Sequence, residues 1–173
     1  MDEIRNLVKE IENLKSHKQF DKAIKILEKA LLKKSDDYRI YEELADIYLY
    51  QSKMQKAKKA IDFALKLNPD SATGNYLKWF ILLASNKIVD AIKFLEKSNN
   101  LMPNNAEVLR NLGWAYSMTG ESQKWIFILK RALNISPDDK LINEDLAMAL
   151  IWSGKIKEWN MLLEKIWKEK III

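Results

Sequence analysis

Apolar residues recur along this chain in stripes at helical spacing, each followed by a short polar break and a second stripe. Ile4, Leu7, Val8, Ile11 and Leu14 form the first stripe, and Phe20, Ala23, Ile24, Leu27, Ala30 and Leu31 form the next. Steps of three and four residues place each set on one face of an amphipathic helix. The pattern predicts helix, turn, helix. It returns with Tyr41, Leu44, Ala45 and Tyr48, then with Met54, Ala57, Ile61, Ala64 and Leu65.

The punctuation is periodic as well. Pro69, Pro103 and Pro137 stand 34 residues apart in the contexts LKLNPD, NLMPNN and NISPDD, and LKKSDD stands one period earlier around Ser35. Proline closes a helix because it lacks an N–H and disfavours helix in the residue before it. Asp36, Asp70, Asn104 and Asp138 are expected to cap the helices that follow. Gly120 and Gly154, one period apart, read as turns within hairpins. Ala23, Ala57, Ala91, Trp125 and Trp159 share one phase, so a small residue gives way to tryptophan in the last two periods. The expected fold is all-α, with five helix hairpins in one solenoid domain spanning 1–173, bounded near 4–37, 38–71, 72–105, 106–139 and 140–173.

The fourth period carries a resemblance. Its Leu109, Leu112, Gly113 and Tyr116 are similar to the first-helix signature of the tetratricopeptide repeat, and Ala132, Leu133 and Pro137 to the end of its second helix. The resemblance covers nearly the whole chain. It implies hairpins stacked into a right-handed superhelix, with the first helix of every repeat lining a concave surface, and a non-catalytic role in binding protein or peptide. Pentatricopeptide repeats are similar in shape, but their period is typically one residue longer and the closing proline favours the tetratricopeptide class.

Two departures from the family pattern stand out. Trp125 and Trp159 replace its small residue, with Gly113 and Ala147 on the facing helices expected to make room, and core packing is favoured for both tryptophans. In the third repeat, strict phase puts Lys78 at a leucine position and Trp79 at a small-residue position. A slip of one residue is preferred there, with Gly74 left in the loop and Tyr76, Trp79, Phe80 and Leu83 on the core stripe. Either register leaves this helix apolar almost all round, and a burial on both sides is expected.

Family geometry also implies which side chains point into the groove. Recurring inward positions are Arg5 and Val8, Arg39 and Glu42, Glu107 and Arg110, and Leu141 and Glu144, joined by Glu12 in the first repeat. The candidate peptide groove comprises Glu42, Glu43, Asp46, Tyr50, Tyr76, Leu77, Phe80, Ile81, Arg110, Asn111, Trp114, Met118, Met148 and Trp152. Its beginning is polar and locally acidic, and its later half is aromatic and Met-rich, which suits an apolar or amphipathic segment. Some family members grip a chaperone's C-terminal carboxylate with a Lys, Asn and Arg clamp. Arg110 and Asn111 supply fragments of it, but Glu42, Glu43, Asp46, Glu144 and Asp145 stand where basic or amide groups would be needed, so no such clamp is expected.

Catalytic chemistry finds little support. His17 is the sole histidine and falls in a predicted turn, and there is no cysteine for a nucleophile, a disulfide or a thiolate metal site. The pairs Asp36-Asp37 and Asp138-Asp139 recur at helix starts, where capping accounts for them. Phosphate loops, zinc spacings and calcium loops are absent from the sequence, so neither enzyme activity nor a cofactor is expected. No apolar run suggests a signal peptide or membrane span, and a cytoplasmic location is the default expectation.

Charge changes the picture only modestly. The net charge of +5 is spread through the chain, and Lys22, Lys25, Lys29, Lys33 and Lys34, or Lys53, Lys56, Lys58 and Lys59, give the second helices a basic face broken by Glu28 and Asp62. A solvated face is favoured over nucleic-acid binding. Finally, Trp159, Leu163, Ile166 and Trp167 on the last helix, with Ile171, Ile172 and Ile173, are expected to offer a surface for self-association. The function expected first is therefore a peptide-binding adaptor, then a self-associating scaffold, then a nucleic-acid-binding solenoid.

Overall fold

The apolar stripes form helices, two to each 34-residue period. In the computed structural model, residues 2–171 are described, with side-chain surroundings for 3–164. Ten α-helices and no strand occur among the described residues: α1 (Asp2–Ser16), α2 (Phe20–Leu31), α3 (Tyr38–Tyr50), α4 (Met54–Leu67), α5 (Ala72–Ala84), α6 (Ile88–Leu101), α7 (Ala106–Met118), α8 (Ser122–Ile135), α9 (Lys140–Trp152) and α10 (Ile156–Ile171). From α3 to α9 each odd-numbered helix starts 34 residues after the last.

The chain divides into two compact units, Met1–Leu101 and Met102–Ile173. In the first, α1 pairs with α2, α3 with α4 and α5 with α6, and the hairpins join through α2 on α3 and α4 on α5. Ile4, Ile11, Leu14, Ala23 and Leu27 bury against Ile40, Leu44 and Ile47, while Ala45, Ala57, Ile61 and Ala64 close on Leu77 and Ile81. In the second unit α7 pairs with α8 and α9 with α10, and α8 packs on α9. Each hairpin has too little apolar surface to fold alone, so the neighbour completes its core.

Every hairpin turns on a left-handed residue. Lys18, Ser52 and Asn86 each have φ of 57°, Gly120 has 76° and Gly154 has 69°, at successive 34-residue intervals. Glycine adopts this conformation freely, whereas a Cβ costs roughly 1 kcal/mol. Ser52→Gly is therefore expected to raise the unfolding free energy by about 0.5–1 kcal/mol, read as a shift in urea midpoint at constant slope.

The helix caps correct the sequence expectation by one residue. Asp37, Ser71, Asn105 and Asp139 cap α3, α5, α7 and α9, their side chains accepting N–H bonds from the first turn, while Asp36, Asp70, Asn104 and Asp138 precede the caps. Three corners carry a second fastening, because Tyr41 Oη donates to the Ser35 carbonyl at 2.8 Å and Asn75 and Asn143 Nδ2 donate to those of Pro69 and Pro137 at 3.0 Å. All three bonds span six residues at the same place in the repeat.

The third repeat is not slipped. Gly74 lies inside α5, its N–H capped by Ser71 Oγ at 3.1 Å, and a Cβ there would stand 2.7 Å from Glu42 Oε1 and 2.9 Å from Leu65 Cδ2. The residue resembling a loop insertion is a helical position kept bare for its neighbours. Leu77, Trp79 and Ile81 are buried, Phe80 is exposed, and Lys78 keeps the strict phase by pairing with Asp62. Thus α5 is not buried on both sides.

Candidate functional site

The first helices of each hairpin present a different face in the two units. In the first unit it is a closed ionic network. Lys15 Nζ lies 2.7 Å from Glu12, 3.0 Å from Glu43 and 2.6 Å from Asp46, with 9% of the lysine side chain exposed. Burial alone would lower the Lys15 pKa, but the bonds to Asp46 and Glu12 and the charge of Glu43 outweigh it and hold the group above lysine's usual value. Burial pushes the Glu43 carboxyl up, and Lys15 offsets part of that. Glu43 and Asp46 thus share one cation, Lys15 of α1, with Glu12. Tyr50, on the same helix, stacks on Phe20 at 5.7 Å between centroids and keeps an exposed edge.

Glu42 is not a groove residue. It is buried, its Oε1 has no hydrogen-bond partner, and burial raises its pKa to about 7, against an offset from the Ser71 side chain. Leu77 and Ile81, also expected along the groove, lie in the core of the first unit. Tyr76 packs against Trp79 with centroids 5.2 Å apart, and Phe80 meets Trp79 edge-on at 6.1 Å.

The second unit brings its predicted residues together. On α7, Arg110, Asn111, Trp114 and Met118 follow one another along the helix, and α9, packed beside it, presents Leu141, Asp145, Met148 and Trp152 one repeat later. Arg110 Nε meets Asp145 Oδ2 at 2.6 Å, joining the two helices at the polar end. Toward the other end Trp114 is 45% exposed, Met118 45%, Met148 46% and Trp152 76%. Trp152 is steadied by an edge contact with buried Trp125 at 6.2 Å. The Trp125 ring is the bulk that the sequence placed in the core, and Gly113 makes room as expected: a Cβ there would sit 3.0 Å from Leu129 and 3.4 Å from Trp125. Ile151, next to Trp152 on α9, is also 44% exposed and stands outside the candidate groove read from the sequence.

Trp159 and Leu163 are half-buried on α10; the side chains of Ile166, Trp167 and Ile171, and the whole of Ile172 and Ile173, lie outside the described residues. His17 donates its Nδ1–H to the Asn13 carbonyl at 2.8 Å in its exposed turn. Among the described residues no cluster of His, Asp or Glu is placed to hold a metal, and no helix is long and apolar enough to cross a membrane.

Helix hairpins repeating at fixed period, with no strand among the described residues, define a helical-repeat protein of scaffold type. A tetratricopeptide repeat model matches residues 38–71 and 106–139, and these two hairpins are tetratricopeptide repeats. It is 31% identical over 108 residues to the TPR repeat-containing protein MJ1428 of Methanocaldococcus jannaschii, covering 61% of this chain and 19% of that protein. The chain thus spans about a fifth of the length of that curated relative. Among solved structures, MamA superposes with a TM-score of 0.76 at 21% identity, over 92% of this chain and 96% of its own. YrrB, described as a TPR protein with an unusual peptide-binding site, gives 0.73 at 16% identity, over 92% of this chain and 82% of its own.

Proposed function

We propose that this chain is a non-catalytic, cytoplasmic interaction scaffold that docks an apolar or amphipathic peptide segment on the α7–α9 face. The observation that carries this reading is the quartet Trp114, Met118, Met148 and Trp152, four large side chains at i and i+4 on two neighbouring helices, each 45–76% exposed. A solvated scaffold face does not need such residues. Tryptophan supplies rigid contact area and methionine an adaptable surround, the combination that reads apolar anchors of a bound helix. The unusual peptide-binding site of YrrB, a protein of the same fold, supports the same class of ligand.

Calorimetry with amphipathic helical peptides bearing Leu or Phe at i, i+3 and i+7 tests the reading. Wild type is expected to bind, and Trp114→Ala with Trp152→Ala to weaken binding at least about thirtyfold with unchanged helical circular dichroism. Equal affinity in the double variant would remove the α7–α9 face from the function. Of the other two classes, self-association falls largely on residues outside those described, and the aromatics on the basic second helices of the first two repeats, Phe20 and Phe63, are engaged by Tyr50 and Tyr41.

A further inference from the structure

The outer positions of the second helices change character between the two units. Lys25, Lys59 and Lys93 occupy one phase of the 34-residue repeat, and the next two members of that phase are Phe127 and Met161. Both are solvent-facing, Phe127 at 62% exposure on α8 and Met161 at 71% on α10. Lys130 Nζ meets Glu158 Oε2 at 2.5 Å across the two helices, so Phe127 lies one turn before this bridge on α8 and Met161 one turn after it on α10. Among the described side chains of these helices the cations are Lys124, Lys130, Arg131 and Lys157, and the acids are Glu158 and Glu164. Lys124 also pairs with Glu121 at 2.5 Å, but both partners are exposed and such surface pairs exchange readily for other counter-charges.

We propose that the outer face of α8 and α10 is a peripheral docking surface for an anionic lipid bilayer, with Phe127 and Met161 entering the acyl boundary and the surrounding lysines and arginine meeting headgroup phosphates. The spacing favours lipid over a protein partner. A protein interface gathers its apolar residues into a contiguous centre depleted of charge, with charge at the rim. Here an ion pair separates the two apolar side chains, an arrangement that a bilayer accommodates because each side chain inserts on its own while lysine stems lie along the interface with their ammonium groups in the headgroup layer.

Co-sedimentation of the purified chain with sucrose-loaded vesicles tests this, using phosphatidylcholine alone and phosphatidylcholine with one-third phosphatidylserine. Wild type is expected to sediment with the anionic vesicles only. Phe127→Gln with Met161→Gln removes both apolar side chains at exposed positions without altering the charge of the face, and is expected to lower the partition coefficient about tenfold or more. Trp114→Ala with Trp152→Ala, on the α7–α9 face, is expected to leave vesicle binding unchanged, so the two surfaces fail or succeed separately. Absence of sedimentation with anionic vesicles, or equal sedimentation of the glutamine variant, would overturn the proposal. So would light scattering showing that the glutamine variant merely converts an oligomer to a monomer, because the face would then belong to a second copy of the chain.

Discussion

Replacing Lys15 by methionine is expected to destabilise the first unit by about 3–5 kcal/mol, the largest stability loss anticipated for a single side chain here. Methionine keeps most of the apolar stem, so the experiment isolates the charge. The substitution leaves Glu43 and Asp46, with side chains 13% and 28% exposed, facing one another and Glu12 without a cation. A buried pair contributes little beyond what well-packed apolar residues would, but a half-removed pair retains the desolvation penalty of its remaining charges. The Lys15 pKa lies above its unfolded value, so its stabilisation is fully present at neutral pH and is lost only in strongly alkaline solution. Urea unfolding of wild type and Lys15→Met at pH 7 measures the loss; a change below about 1 kcal/mol would mean that water already screens the network.

The second large effect has the opposite sign. Glu42→Gln is expected to stabilise the protein by about 2 kcal/mol at pH 8 and to change stability little at pH 4.5. Burial raises the folded carboxyl to about 7, above its ordinary value of 4.5. Between those two values the folded state holds a proton that the unfolded state has released, so stability falls as pH rises through this window and stays low above it. The full shift corresponds to about 3 kcal/mol, and the amide removes the ionisation while adding a buried donor that recovers only part of it. Equal effects of the substitution at both pH values would show that Glu42 does not titrate on folding. The same carboxylate explains Gly74: a methyl group on that helix would press on the oxygen already lacking a partner.

What the sequence reveals and what it hides follow from the range of the interactions. Helix boundaries, hairpin turns at Gly120 and Gly154 and the 34-residue phase are local, set by steps of three or four residues and by backbone conformation, and they are legible. The burial of Trp125 is legible because a ring at a closely packed position requires a bare partner, and Gly113 is visible one helix away. The register of α5 differs from the sequence expectation because its explanation lies elsewhere in the fold: Lys78 holds a core phase through Asp62, and Gly74 is small because of Glu42. Of the candidate groove, the exposed quartet on α7 and α9 sits where helical phase places it. Glu43 and Asp46 look like a polar lining in sequence because nothing in the local pattern marks Lys15, roughly thirty residues earlier, as their common counter-ion.

The proline that makes this repeat visible is not the atom group that fastens it. At Ser35 the corner closes with no ring at all, through the Tyr41 hydroxyl, and at Pro69 and Pro137 the asparagines hold the carbonyl and leave the pyrrolidine untouched. In the fourth repeat the equivalent residue is Leu109, which has no donor to offer and is fully buried. The corner at Pro103 therefore leans on the conformational restriction of its proline where the others have a side-chain latch, and wear by substitution at the four corners would fall unevenly, with Pro103 the one whose ring has no understudy.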